Sequence, residues 1–186
     1  MRLFFSGEIP DAQIFSLRQI QEMLQKVSAD VKWVDPKNFH ITFSFLGEVK
    51  SERLDSLKRT GEEVQKLFHN FPVSFSQLGA FPSRNKPKII WLGIEQGEEI
   101  LDSLAKELER RLLEQKFTLE NREFKPHLTL GRIRSQKGIE KLSEKLNLHF
   151  PESAEFLFTH FSLKESHLKP GGAVYKTIFD FPLKNP

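Results

Sequence analysis

Phe39-His40-Ile41-Thr42-Phe43 and Pro126-His127-Leu128-Thr129-Leu130 carry one pattern twice, His-x-Thr among apolar residues, at a separation of 87 positions. Side chains on a strand alternate between its two faces. His40 and Thr42 then share one face, and Ile41 and Phe43 the other. His127 and Thr129 part in the same way from Leu128 and Leu130. The apolar faces are expected to pack on helices, and the polar faces to look at solvent, a cleft or a ligand. The same shift of 87 relates Phe4 to Trp91 and Leu17 to Leu104, so a repeated strand–helix–strand unit is the reading. Two copies packed about a pseudo-two-fold axis set two histidines and two hydroxyls across a groove.

Outward from these strands, Arg2 to Ser6 reads as a short strand. A helix opening at Pro10-Asp11 carries Leu17, Ile20, Leu24 and Val27 at helical spacing. Val31 to Val34 reads as extended and Asp35-Pro36-Lys37-Asn38 as a turn. Ser51-Glu52 is expected to cap a second helix bearing Leu54, Leu57, Val64 and Leu67. Phe71 to Phe75 reads as extended, Ser83 to Pro87 as a basic loop and Lys88 to Ile94 as a strand. A third helix from Glu98 carries Leu101, Leu104, Leu108 and Leu112, and a shorter one covers Ile139 to Leu146. Glu155 to Leu163 and Val174 to Phe181 read as paired strands around Lys169-Pro170-Gly171-Gly172.

The 186 residues suit one domain that holds a core without covalent staples. With no cysteine, disulfides, thiolate metal sites and cysteine nucleophiles are excluded, and a cytoplasmic setting is expected. The N-terminus meets an acid at Glu8 too early for a signal peptide, and no apolar run is long enough to span a membrane. A net charge of +3 permits an anionic partner without requiring one. The 18 Phe are mostly expected in the core.

Two imidazoles with an ordinary pKa of about 6.5 can supply a base and an acid near neutral pH. Two Thr hydroxyls can donate to the non-bridging oxygens of a tetrahedral anion. In-line displacement at phosphorus asks for that set and no metal. Two histidines without a nearby carboxylate or thiol make a thin zinc site, and His-Glu-x-x-His is absent. Dinucleotide, P-loop and serine-hydrolase signatures are absent too.

These motifs resemble those of the two-histidine phosphoesterases, and within them the RNA 2′,3′-cyclic phosphodiesterase or 2′–5′ RNA ligase family. The resemblance runs over nearly the whole chain. It includes Arg2-Leu3-Phe4-Phe5, Asn38 to Phe43, Phe45-Leu46-Gly47-Glu48, Phe81-Pro82-Ser83-Arg84 and Ile90-Trp91-Leu92-Gly93. It continues through Pro126 to Arg132, and Ser166-x-Leu168-x-Pro170-Gly171-Gly172 with Tyr175. It implies an α+β fold, one domain over 1–186, with two pseudo-symmetric lobes around a V-shaped cleft. Each lobe is an antiparallel sheet backed by helices.

By the same resemblance His40 is the proton donor to the leaving 3′ oxygen, His127 the proton acceptor from water, and Thr42 and Thr129 bind phosphate. The opposite assignment of the two histidines is open by pseudo-symmetry. Arg132 resembles the family arginine. Strand parity puts it on the face opposite His127 unless a bulge near Gly131 intervenes, and an exposed strand-end arginine is the other reading. Phe4 either stacks a base or packs in the core. Tyr175 and Ser166 either border the cleft or pack at strand ends. Arg84, Lys86 and Lys88 either touch RNA backbone or stand in solvent. His69, His149, His160 and His167 read as structural or surface residues.

The implied activity opens a terminal 2′,3′-cyclic phosphate to a 2′-phosphomonoester without metal or other cofactor, with ATP-independent 2′–5′ ligation as a side or reverse reaction. The expected partner is an RNA end or a small cyclic nucleotide phosphate, and the expected state a monomer. Alternatives are a related phosphodiesterase acting on ADP-ribose 1″,2″-cyclic phosphate or 2′–5′ oligonucleotides, and a non-catalytic RNA-binding module.

Overall fold

The N-terminal strand runs over Arg2–Glu8 (β1) in a computed structural model that describes residues 1–120, 123–147, 155–170 and 172–185. The four helices fall where the three-and-four spacing of apolar residues placed them. Helix α1 (Asp11–Gln25) buries Leu17 and Leu24, and α2 (Leu54–Gln65) buries Leu57 and Val64. Helix α3 (Glu98–Glu114) buries Leu101, Leu104, Leu108 and Leu112, and α4 (Ile139–Leu146) buries Ile139, Leu142 and Leu146. Ser51 does not cap α2: a short 3₁₀ turn over Ser51–Arg53 precedes that helix, and Leu67 lies exposed beyond its end.

The other strands are β2 (Val31–Trp33), β3 (His40–Glu48), β4 (Phe71–Val73), β5 (Phe75–Ser83) and β6 (Lys86–Ile94). They are followed by β7 (His127–Ile133), β8 (Phe156–Phe158), β9 (His160–Lys169) and β10 (Gly172–Pro182). The expected basic loop shrinks to a turn at Arg84-Asn85, because β5 and β6 pair down to Ser83 and Lys86. Strand β9 runs past Leu163 to Lys169, paired along β10. Gly171, in the loop between them, lies outside the described residues, as does His149.

Sheet order is β10-β9-β1-β3-β7-β6-β5, with β2 also on β7 and all these pairs antiparallel. Among the described residues β3 and β7 join the two lobes where Ile41 pairs with Leu128, the central residues of the two His-x-Thr motifs. Their sheets are thus continuous through that pair. A helix from each half backs the His-x-Thr strand of the other. Gln21 of α1 donates to Leu130 O on β7, and α3 packs on β3. Helix α2 lies on β9 and β10 and is tied to α3 by the Arg111–Glu63 ion pair.

The core is largely phenylalanine. Phe5, Phe161 and Phe181 pack ring on ring, and Phe43 joins through Phe158 and Phe161. Each such ring stabilises the fold by about 1.5–3 kcal/mol relative to exposure. Most of the 18 Phe are accounted for in this way, and Phe15 is a clear exception, standing exposed.

Candidate active site

Strands β3 and β7 both begin at their histidine, and burial alternates along them as the sequence predicts. Ile41, Phe43, Leu128 and Leu130 are buried, while His40, Thr42, His127 and Thr129 are half-buried. Paired residues on neighbouring strands share a face. The Ile41–Leu128 pair therefore points into the core, and the four polar side chains line the opposite face. Counting outward from it, His40 lies across from Thr129 and Thr42 across from His127.

Both imidazoles are held alike. Nδ1 of His40 lies 2.6 Å from Asn38 O, and Nδ1 of His127 lies 2.6 Å from Lys125 O. A carbonyl oxygen only accepts, so Nδ1 carries the proton and Nε2 is the basic nitrogen of the neutral ring. The Asn38 carboxamide donates to Ala173 O and ties the His40 anchor to β10. Each ring also stands edge-on to one aromatic and tilted to another. For His40 these are Tyr175 at 5.2 Å and Phe4 at 5.2 Å. For His127 they are Phe81 at 5.1 Å and Trp91 at 6.3 Å.

Of its two readings Phe4 takes the packed one. At 1% exposure it is core, yet its ring packs on His40, Tyr175 and Phe45. It leaves no open face for a base and serves as the wall that orients His40. Tyr175 stands beside Ser166 across the β9–β10 ladder. Burial raises its phenol above the ordinary value near 10, opposed by the charges of Arg132 and Arg2. That coupling places Arg132 toward the first lobe.

The ladder shows how Arg132 gets there. Ile90 pairs with Gly131 and Trp91 with Thr129, so Leu130 is an extra residue in β7. The bulge restores Arg132, paired with Ile89, to the face that Thr129 and Trp91 share. The carbonyl of the bulged Leu130 accepts from Val34 N and from the buried Gln21 amide. Gly131 itself stays in the ladder, where a Cβ would come within 2.7 Å of Val31 Cγ1 and 2.9 Å of Trp33 Cε3.

Lobe one has the matching bulge at Phe43, since Ser6 pairs with Thr42 and Phe5 with Ser44. The neighbouring strands obey a different shift from the His-x-Thr strands. Ser6 holds the ladder place of Trp91, and Glu8, opposite His40, that of Gly93, opposite His127. The 87-residue match of Phe4 with Trp91 is therefore not a match of ladder positions.

Two residues that sequence reasoning did not single out sit beside His40. Lys164 Nζ contacts Glu8 Oε2 at 2.6 Å, with Lys164 and Glu8 only 14% and 18% exposed, and Ser6 Oγ donates to Glu8 Oε1. Burial pushes the His40 imidazole from 6.5 down to about 4. The Asn38 hydrogen bond and the Glu8 charge oppose that shift, and the charges of Lys164 and His127 add to it. Phe81 and Trp91 were legible within the family motifs, but their contact with His127 was not.

The basic cluster divides. The Arg84 guanidinium donates to Leu78 O and Asn147 Oδ1, and its carbonyl accepts from Ser143 Oγ, bracing α4 against the β5–β6 hairpin. Lys86 and Lys88 stand exposed. Among the described residues no group of three or more His, Asp or Glu is placed to hold a metal ion, and no helix is long and apolar enough to cross a membrane.

A cleft strand from each of two repeated halves, each presenting His and Thr on one face, defines a two-histidine phosphoesterase architecture. The model of the LigT like Phosphoesterase family matches the chain twice, over residues 8–91 and 92–175, and the chain belongs to that family. A relative from Archaeoglobus fulgidus named RNA 2′,3′-cyclic phosphodiesterase is 36% identical over 96% of this chain and 98% of its own. One of the same name from Methanocaldococcus jannaschii is 31% identical, over 96% and 98%. Among solved structures, TT0787 of Thermus thermophilus superposes with a TM-score of 0.83 at 26% identity, covering 100% of this chain and 99% of the other. The complex of E. coli LigT with 3′-AMP superposes with a TM-score of 0.77 at 26% identity, over 98% and 97%.

Proposed function

We propose that the protein is an RNA 2′,3′-cyclic phosphodiesterase that opens the terminal ring to a 2′-phosphomonoester. The observation that carries the reading is the matched presentation of the histidines. Both rings donate Nδ1–H to the carbonyl two residues earlier, which makes Nε2 the basic nitrogen, and each lies across from the other motif's threonine. The names of the full-length relatives point the same way.

In this reading His127 Nε2 takes a proton from water as its oxygen attacks phosphorus. His40 gives a proton to the leaving 3′ oxygen. The P–O3′ bond breaks, the new P–O bond forms, and the phosphate remains on the 2′ oxygen. Thr42 and Thr129 donate to the non-bridging oxygens, and Arg132 offsets their charge. Tyr175 and Ser166 border the nucleoside at the cleft rim, and Phe4 fixes the His40 ring. His40 is neutral in the empty cleft, and the phosphodiester anion supplies the charge that favours its imidazolium. The chemistry needs no metal or other cofactor. One two-lobed unit over residues 1–186 performs it, as a monomer in the cytoplasm. The helices that cross between halves support the single unit.

The test is incubation with EDTA and a short RNA ending in 2′,3′-cyclic phosphate, with His40→Ala and His127→Ala alongside. A 2′-phosphate product that requires both histidines is expected. Absence of turnover by the native protein, or turnover that survives both substitutions, would contradict the reading.

A further inference from the structure

On the first lobe the cleft face runs on past His40 into a second group of donors. Along β1, Leu3 and Phe5 point into the core and Phe4 toward His40. Arg2 has the parity of Phe4 and stands exposed on that same face. Strands β1 and β9 pair without a shift, from Gly7 with Phe161 to Leu3 with Glu165. One place further, Arg2 lies across from Ser166, and Ser166 pairs with Tyr175. An arginine and two hydroxyls thus form one row across β1, β9 and β10. Tyr175 stands edge-on to His40 with 5.2 Å between ring centres, so the row adjoins the imidazole. Arg132 approaches it from the other lobe. Burial pushes the Tyr175 phenol up, and the charges of Arg132 and Arg2 both oppose that push.

The row offers donors and lacks an acceptor. Among the described residues no ion pair and no side-chain hydrogen bond engages Arg2, Arg132, Ser166 or Tyr175. Glu48, across from Arg2 on β3, is held by the Met1 ammonium. Glu165, on the opposite face, lies 3.1 Å from His167 Nε2. Two cations brought to one phenol favour an anion between them. A phosphate fits, since it accepts from the guanidinium fork and from hydroxyls alike. Ring opening by water engages one phosphate, the cyclic one at Thr42 and Thr129. An RNA end carries a second on the same nucleoside, esterified at its 5′ oxygen. We propose that Arg2, with the Ser166 and Tyr175 hydroxyls, forms a subsite for that 5′-phosphate, by which the protein tells a nucleotide at an RNA end from a free nucleoside 2′,3′-cyclic phosphate. This subsite presupposes the hydrolytic function proposed above. No bond is made or broken there, and Arg2 acts in binding alone.

The experiment compares two small substrates with EDTA present. One is cytidine 2′,3′-cyclic phosphate. The other adds a methyl phosphodiester on the 5′ oxygen, charged as the chain is. The readout is the ratio of their kcat/KM values. One preparation supplies both numbers, so the ratio does not depend on how much of a variant folds. The native protein should favour the 5′-esterified substrate about ten- to hundredfold, the worth of charge-assisted hydrogen bonds, in KM rather than in kcat. Arg2→Gln should lower the ratio about tenfold or more. Arg2→Lys should lower it less, since an ammonium keeps the charge and loses the fork. Lys176→Gln removes an exposed charge from the opposite face of β10 and should leave the ratio where it is. A native ratio near one would overturn the subsite and leave the hydrolytic reading standing. So would a ratio that Arg2→Gln does not move, or that Lys176→Gln lowers as far. No conversion of either substrate would overturn the hydrolytic reading, and the subsite with it.

Discussion

The halves of the cleft share a backbone and differ in what surrounds it. Each presents His and Thr from the start of a strand, anchors the imidazole on the carbonyl two residues back, and bulges one residue after the threonine. Around His40 the ladder supplies Phe4, Ser6 and Glu8, with Lys164 beyond. Around His127 it supplies Trp91 and a bare glycine. The first environment is closed and charged, the second open and aromatic. Repetition thus delivers two imidazoles presented alike, and side-chain differences one strand away give them unlike surroundings. The depressed pKa of His40 follows from packing, since burial is its leading cause.

The broadest way to break the comparison is to remove either imidazole. His40→Ala and His127→Ala should each lower kcat by about 10²–10⁴ while RNA is still bound, as read by single-turnover cleavage and filter binding. A loss confined to one of them would show that only one lobe does proton chemistry. Lys164→Met tests the charged side. It leaves Glu8 without its cationic partner and with only the Ser6 hydroxyl donating, a change that costs about 3–5 kcal/mol when the pair is fully buried and less with the exposure kept here. It also removes a charge that depresses His40. Urea unfolding should show the loss, and proton NMR an upward shift of the His40 titration.

Gln21→Leu tests the second bulge. The Leu130 carbonyl would keep only its Val34 partner. The expected cost is about 1 kcal/mol, or roughly 2–4 °C in the thermal midpoint. KM should rise more than kcat falls, because Arg132 owes its face to that bulge. The smallest effect is a displacement of a pH limb. If His40 is the acid, activity falls as pH rises through its pKa. That limb should lie at higher pH in kcat than in kcat/KM, because bound phosphodiester favours the imidazolium that burial disfavours.

The parts of this account that the sequence carried openly are the periodic ones. Helices α1 to α4 follow from leucines spaced by three and four, and the shared polar face of His40, Thr42, His127 and Thr129 from two His-x-Thr repeats. Strand β5 was hidden because Ser76-Gln77-Leu78-Gly79-Ala80 has no β-branched residue. Its place in the sheet comes from pairing with β6. The Glu8–Lys164 pair joins residues 156 positions apart and has no local signature. Arg132 was readable only as a conflict between its motif and strand parity. The conflict is settled by a bulge at Leu130 rather than at the glycine beside it, and the amide that holds that bulge comes from α1. Phe4 shows the limit of a one-residue reading, since being core and facing the site were never exclusive.

The most direct measurement of the inequality between the lobes is a proton NMR titration of His40, free and with a nucleoside 2′-phosphate bound. The account predicts that free His40 titrates near 4, with the proton on Nδ1 when neutral, and that the bound phosphate moves its transition upward. A free His40 that titrates near 6.5 and does not respond to the phosphate would contradict it.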